Sequence, residues 1–320
     1  MKIAMIGAGN LATNLAKALH KAGHNIIEVY SRTMASAREL ATAVGALPTD
    51  RIETVTRDAD IYILALKDSV LADIISPLCE GRTDGVFVHT AGSVPMDVFK
   101  GHAIRYGVVY PMQTFSKKRE VDFAVIPVFV EASDEDTLNT LEEMSKSVSG
   151  DVRRLDSPSR RYLHLAAVFA CNFANHCYAL AADMVERSGM TFDCLLPLID
   201  ETARKVHQLP PDKAQTGPAV RFDRNVIDAQ SHLLEDTPMA QQIYNIMSES
   251  IHQKSKDNDE LRLEENTRHH LRRGWGAQQR DNTTAPWRRT HAHREHQGRI
   301  CHTVGCQDGA ANSDSHWRQD

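Results

Sequence analysis

The chain has 320 residues, 42% hydrophobic and 25% charged, enough for two ordinary domains with a sizeable core. A formal net charge of −5 speaks against nucleic acid as a partner. Six cysteines, with no secretory apolar segment behind Met1, fit a reduced cytoplasmic compartment where thiols are packing residues, and imply no disulfide framework.

Ile3 to Ile6 reads as a short apolar strand that runs straight into Gly7-x-Gly9-x-x-Ala12 and an amphipathic helix from Asn10 to Ala22. A glycine run of this kind is informative only in that strand-then-helix setting, where it marks a dinucleotide site. Gly7 allows the tight turn, Gly9 lets backbone N–H groups approach a pyrophosphate at the helix N-terminus, and Ala12 stands where helix packs on strand. Gly7, Ala8, Gly9, Asn10 and Leu11 are therefore expected to bind the cofactor.

The second strand, Asn25 to Tyr30, ends in Ser31-Arg32-Thr33. An NAD site places an acidic residue at this strand end for the ribose 2′-hydroxyl. No Asp or Glu occupies it here; Ser31, Arg32 and Thr33 offer a guanidinium and two hydroxyls, which suit a 2′-phosphate and favour NADP(H). Glu28 lies inside the strand and is poorly placed as a ribose ligand.

Alternation continues with a helix at 33–45, a strand at 61–66, a helix at 69–78 and strands at 85–90, 106–109 and 125–131. The pattern predicts an α/β, Rossmann-type doubly wound parallel sheet over residues 1–150. Asp60 to Leu66 is nearly continuously apolar, as in a strand buried on both faces. Ligands bind outside the carboxyl ends of such strands, which places Leu66, Lys67, Thr90 and Ala91 near the cofactor. The acidic run from Asp134 to Glu143 reads as a solvated helix start.

From residue 151 to 256 the period becomes helical. Ser157-Pro-Ser159 is expected to cap a long helix from about Arg160 to Ser188, and Thr191 to open another running to Val206. Leu163 to Met184 is the most apolar stretch, but His164, Asn172, Asn175 and His176 interrupt it, so it reads as a buried helix and not a membrane span. Apolar nearly all round, that helix implies burial on more than one side and a homodimer interface.

Taken together, GAGNLA at 7–12, YSRT at 30–33, ALKD at 65–68, HTAGSVPMDV at 89–98, YPMQTFSK at 110–117, HLAAVFACNF at 164–173 and TGPAVRFD at 216–223 resemble the Rossmann-like proteins that carry a DUF2520 helical domain. These are distant relatives of pyrroline-5-carboxylate reductase and of F420-dependent NADP oxidoreductases. The resemblance covers roughly residues 1–256. It implies a bacterial cytoplasmic NADP-linked oxidoreductase with its substrate between the two domains.

Hydride transfer to a carbonyl or imine needs a proton donor and a polar clamp on the substrate. His164 is the first candidate donor, because imidazole titrates near working pH and helical spacing puts Val168, Asn172 and Asn175 or His176 on its face. Satisfied core polar residues are the competing reading for His164 and Asn172. His89 and Ser93 follow the strand nearest the nicotinamide, and either is placed to hold the substrate or to cap the next helix. Gln113 follows another strand in a loop that borders the nicotinamide in the reductase relatives. Arg221 suits a substrate carboxylate, or a structural pairing with Asp223 or Asp228. The helix position that holds a catalytic Lys in hydroxyacid dehydrogenases of this type has none, which speaks against a simple 2-hydroxyacid reaction.

From Asn258 the composition breaks: all three tryptophans and seven of the sixteen histidines lie beyond it, with no Lys, Phe, Tyr or Met. Such a segment buries no core, so 257–320 is expected to be an unstructured, non-native tail. His296, Cys301, His302 and Cys306 match no standard zinc spacing, and no metal site is expected. Read one frame over, with free synonymous codons, Arg268 to Gln278 yields AIIFDVDGVLS, which resembles the nucleophile motif of haloacid-dehalogenase-type phosphatases. The tail is thus expected to be an out-of-frame reading of a neighbouring gene, which sequencing of the locus decides. The leading expectation for the chain is an NADP(H)-dependent reductase or dehydrogenase of a small molecule. The rivals are a non-catalytic NADP-binding scaffold dimer and an enzyme with reduced F420 as hydride partner.

Overall fold

A computed structural model describes residues 1–281, with side chains to Leu261 and at Leu263. The chain opens with β1 (Lys2–Ile6), α1 (Asn10–Lys21), β2 (Asn25–Tyr30), α2 (Met34–Val44), β3 (Leu47–Thr49), β4 (Ile61–Leu64), α3 (Asp68–Cys79) and β5 (Val86–His89). It continues with β6 (Arg105–Pro111), β7 (Val128–Ala132), α4 (Glu135–Lys146) and β8 (Val152–Arg154). The strands form one sheet in the order β3-β2-β1-β4-β5-β6-β7-β8. The order reverses direction around β1, leaving a crevice at the carboxyl ends of β1 and β4, where an open α/β sheet takes its ligand.

All neighbours pair in parallel except β6 and β7, which are antiparallel, so the expected all-parallel sheet needs correction there. A parallel return requires a crossover, usually helical. Between Pro111 and Val128 the chain forms only loop and one short 3-10 turn, Phe123–Val125. The strands β3 and β8, three residues each, were too short to show a period.

Both sheet faces are covered. On one, Ile3, Met5, Leu15, Leu19, Ile26 and Leu40 pack among α1, α2 and α4; on the other, Ile6, Tyr62, Leu71, Phe87 and Phe99 pack beneath α3. Every residue of β4 is buried, as its unbroken apolar run requires. Buried Arg82 ties the loops on this second face, donating to the carbonyls of Leu78 (2.8 Å), Thr56 (3.1 Å) and Val55.

After β8 come α5 (Ser157–Ala167), one stretch of π-helix (Val168–Phe173) and α6 (Ala174–Arg187). The N-cap is Asp156, whose carboxylate accepts from Ser159 N at 2.8 Å, rather than the Ser157-Pro-Ser159 segment. Ser157 binds Glu131 of β7 instead, through its backbone N (2.9 Å) and Oγ (2.6 Å). Arg160, wholly buried, donates Nη1 to Glu131 Oε2 (2.6 Å) and Nη2 to the Val94 carbonyl (2.6 Å). This knot fastens α5 to the sheet and to the loop after β5. It also explains why Cα packing groups residues Met1–Glu201 in one compact unit, which takes in α5 and α6 beyond the expected boundary at 150.

Beyond Arg160 the helix departs from expectation. Only Ser157 and Arg160 are buried, and Tyr162, Leu165, Phe169 and Phe173 are exposed. Within its own unit this helix lacks the cover predicted for it. Ser157–Arg187 is also long and apolar enough, by length and composition alone, to cross a membrane.

The second unit begins at Thr202, within α7 (Leu196–Gln208), which follows a 3-10 turn at Phe192–Leu195 instead of starting at Thr191. It contains α8 (Pro211–Ala214), α9 (Pro218–Arg221), α10 (Arg224–His232) and α11 (Pro238–Asp281). Phe222, left-handed at φ 54°, stacks on His252 of α11 with ring centroids 4.2 Å apart and lies under the Arg224 guanidinium. The last helix passes residue 257, the expected start of the tail, and runs to Asp281. Residues 257–273 hold many good helix formers (Leu, Glu, Arg) and neither Pro nor Gly, so local propensity carries the helix on. The rest of the proposed tail lies outside the described residues.

Glu131→Ala should destabilise the chain by about 3–5 kcal/mol in urea unfolding, because it leaves the Arg160 charge buried and unpaired. The double replacement Glu131→Leu with Arg160→Met should recover part of that loss, the part due to the unpaired charge, because Ser157 N and Oγ still lose the Glu131 carboxylate.

Candidate cofactor and active site

The β1–α1 turn is shaped for close approach. Gly7 sits at φ +124°, and a Cβ there would overlap the Ala65 carbonyl oxygen, so glycine is required on both counts. Gly9, the residue before α1, faces open space: a Cβ there would meet no atom within 4 Å. No side chain caps α1, and its first turn holds no acid. The helix therefore presents free N–H groups and its positive dipole end to a cradle with room for a pyrophosphate.

The second anion position lies at the start of α2. Its first turn also lacks acids and a side-chain cap, Thr33 donates to Ser36 Oγ at 3.0 Å, and Arg32 is exposed with no ion pair among the described residues. Glu28 is committed elsewhere. Its carboxylate accepts from Thr56 N at 2.6 Å, and burial pushes its pKa up. The residues present thus fit a dinucleotide with a 2′-phosphate.

These features open into one cleft of about 800 Å³. All twelve expected cofactor residues line it: Gly7, Ala8, Gly9, Asn10, Leu11, Ser31, Arg32, Thr33, Leu66, Lys67, Thr90 and Ala91. Gln113 and His164 line it as well, with Gln113 Oε1 accepting from Thr114 N at 2.8 Å. Gly92 of the loop after β5 also lines it, as do Asp68 and Tyr110, which sequence reasoning did not single out. The Tyr110 hydroxyl shares a 3.0 Å hydrogen bond with His164 Nδ1, and the two rings meet edge to face with centroids 5.8 Å apart. Fifty-four residues separate the pair, and no local signal joins them.

Three expected site residues fall outside the cleft lining. His89 is fully buried: Nδ1 accepts from Ala91 N at 3.2 Å and Nε2 faces the Pro95 carbonyl at 3.4 Å. Burial above all, aided by the Arg160 charge, lowers its pKa to about 4. It is a neutral post that shapes the loop after β5, not a proton donor. Ser93 is exposed, outside the cleft lining, and donates to Asp68, which does line it. Asn172 is exposed and absent from the lining, and the stretch that holds it, Val168–Phe173, winds as π-helix and not at the 3.6 residues per turn that the sequence reading assumed. Arg221 belongs to α9 in the second unit.

His89 predicts an acid sensitivity. Its folded pKa lies below its unfolded value, so the unfolded state binds a proton first. The stability His89 contributes is complete above about pH 6.5 and falls as pH drops from there toward about 4. Between about pH 7.5 and about pH 5 the wild type should lose about 2 kcal/mol more than His89→Gln, measured by urea unfolding at each pH.

Comparison with known proteins agrees with this geometry. Residues 2–91 match the family described as coenzyme F420-dependent NADP oxidoreductase, and residues 126–251 match DUF2520, a domain of unknown function. A candidate NADP oxidoreductase of known structure from Bacteroides fragilis is 53% identical, with a TM-score of 0.76 over 79% of this chain and 98% of its own. Protein TM1727 from Thermotoga maritima shares the fold at 20% identity and TM-score 0.66, covering 79% of this chain and 99% of that one. An imine reductase from Myxococcus stipitatus, solved with NADP+, does so at 16% identity and TM-score 0.60, covering 80% and 95%. Among curated proteins, no sequence match was found. With a relative above half identity across nearly its full length, the chain belongs to the Rossmann-fold NADP oxidoreductases whose helical part is the DUF2520 domain.

Proposed function

We propose that the chain is a cytoplasmic NADPH-dependent reductase that acts on a small carbonyl or imine compound. The observation that carries this reading is the presence of an imidazole, that of His164, in the same cleft as the glycine turn and the Arg32 loop. NADPH, when bound, supplies a hydride. The free N–H groups at the start of α1 hold its pyrophosphate, and Arg32 with the Thr33 and Ser36 hydroxyls holds its 2′-phosphate. His164 delivers the proton to the substrate nitrogen or oxygen. Gln113, and Ser93 through Asp68, bound the substrate side. In this reading residues 1–150 bind the cofactor, and residues 151–256 contribute the proton donor and the dimer contact.

The partner for α5 and α6 is a second copy of the chain. Tyr162, Leu165, Phe169 and Phe173 present an exposed apolar surface, while His164, Asn172, Asn175 and His176 on the same helices lack the apolar character that lipid contact demands. A homodimer covers the first group and leaves polar side chains free to find partners.

Titration should show NADPH binding more tightly than NADH, with Arg32→Ala weakening NADPH at least about tenfold and NADH little. Against a panel of cyclic imines and ketoacids, His164→Gln should keep NADPH binding and lose about a hundredfold or more in turnover. No binding of either nucleotide, or binding without turnover of any substrate, would favour the non-catalytic scaffold. Light scattering should give a dimer that Phe169→Asp shifts toward monomer; a monomer that co-sediments with lipid vesicles would overturn the dimer.

A further inference from the structure

We propose that Tyr110 is a positioning residue for His164: its phenol oxygen accepts the Nδ1 proton of the ring throughout the reaction and leaves Nε2 to exchange protons with the cleft. The inference rests on the reading of His164 as proton donor. It adds the residue that makes a flexible imidazole into a directed one.

Three observations converge. Tyr110 stands at the end of β6 with its ring almost wholly buried, flanked by Phe129 at 6.4 Å and His164 at 5.8 Å between centroids, so the hydroxyl has little freedom. That hydroxyl lies 3.0 Å from Nδ1. The same edge of the imidazole is closed from the other side by Gly92, where a Cβ would overlap His164 Nδ1, Cγ and Cβ. A backbone without a side chain is needed for the ring to seat there. With the Nδ1 edge closed by phenol and glycine, the edge bearing Nε2 is the one left for the cleft that His164 lines.

The proton balance then selects the direction of the hydrogen bond. As the substrate C=N or C=O bond is reduced, its nitrogen or oxygen takes the proton from Nε2 of the imidazolium. The neutral ring that remains keeps its other proton on Nδ1, still donated to Tyr110 Oη, and Nε2 is reprotonated from solvent. The opposite arrangement, with the phenol donating to Nδ1, would require a tyrosinate once Nε2–H is given away. Burial pushes the Tyr110 pKa up, against the pull of the Arg160 charge, and so disfavours that anion. A phenol also leaves the ring free to cycle, whereas a carboxylate partner would hold it as imidazolium.

Nitrogen NMR of the full chain with labelled imidazoles, with the His164 signals assigned by loss in His164→Gln, tests the pair without a known substrate. The neutral wild-type ring should carry its proton on Nδ1. In Tyr110→Phe it should relax to a tautomer mixture while the urea unfolding midpoint, the check on folding, stays near that of the wild type. Identical tautomer populations in the two proteins, or a wild-type ring protonated on Nε2, would overturn the proposal. In turnover with any imine or ketoacid that the wild type reduces, Tyr110→Phe should lower kcat about tenfold with KM for NADPH unaltered. A shifted tautomer without turnover in wild type would leave the positioning pair standing and sink the reductase reading. Turnover with neither tautomer nor kcat altered in Tyr110→Phe would do the reverse.

Discussion

The buried ion pair between Arg160 and Glu131 is the constraint on which the site depends. A guanidinium without solvent is costly unless its donors are met, and the Glu131 carboxylate, the Ser157 hydroxyl and the Val94 carbonyl meet most of that demand. Those three acceptors come from β7, α5 itself and the loop after β5. Satisfying one buried charge thus fixes the start of α5 both to the sheet and to the loop after β5. His164 lies one helical turn further on, so the constraint that seats Arg160 also seats the imidazole beside Tyr110. The remaining Nε of Arg160 is buried without a hydrogen-bond partner, which marks the knot as a specifying device more than an optimised source of stability.

The cofactor half obeys a different logic. Both expected anion positions are helix starts without acids and without side-chain caps, a combination that leaves backbone donors unsatisfied in the protein alone. Elsewhere the chain uses side-chain caps at two helices: Asp134 at α4 accepts from Thr137, and Asp156 at α5 accepts from Ser159. What sets the starts of α1 and α2 apart is that both also line the cleft, through Gly9, Asn10, Thr33 and Ser36.

Legibility of the site in the sequence followed the range of the interactions. The glycine turn, the Arg32 loop and the strand-end residues Leu66, Lys67, Thr90 and Ala91 are set by local backbone geometry and by the carboxyl-end rule, and all of them line the cleft. Asn172 lies in a π-helical stretch, which cannot be read from residue spacing that assumes 3.6 per turn. Tyr110 was missed because its meaning lies in a contact across fifty-four residues. The antiparallel β7 was missed because nothing in a strand's own residues states its direction. The exposed face of α5 and α6 read as core, since apolar periodicity reports that a surface is to be covered and not by which chain.

His89 and His164 show how far environment outweighs residue type. Sequence reasoning made both site candidates, His164 as the first choice of proton donor and His89 as a residue to hold the substrate or cap the next helix. Burial removes His89 from proton chemistry: solvation of its charged form is lost, the nearby Arg160 adds repulsion, and both nitrogens face backbone groups. His164 keeps a ring edge on the cleft and has as partner a phenol, which can donate or accept. The buried Arg160 takes part in both outcomes, since its charge helps keep His89 neutral while its hydrogen bonds hold the helix that carries His164. One unsolvated cation thereby bears on the surroundings of two chemically identical side chains.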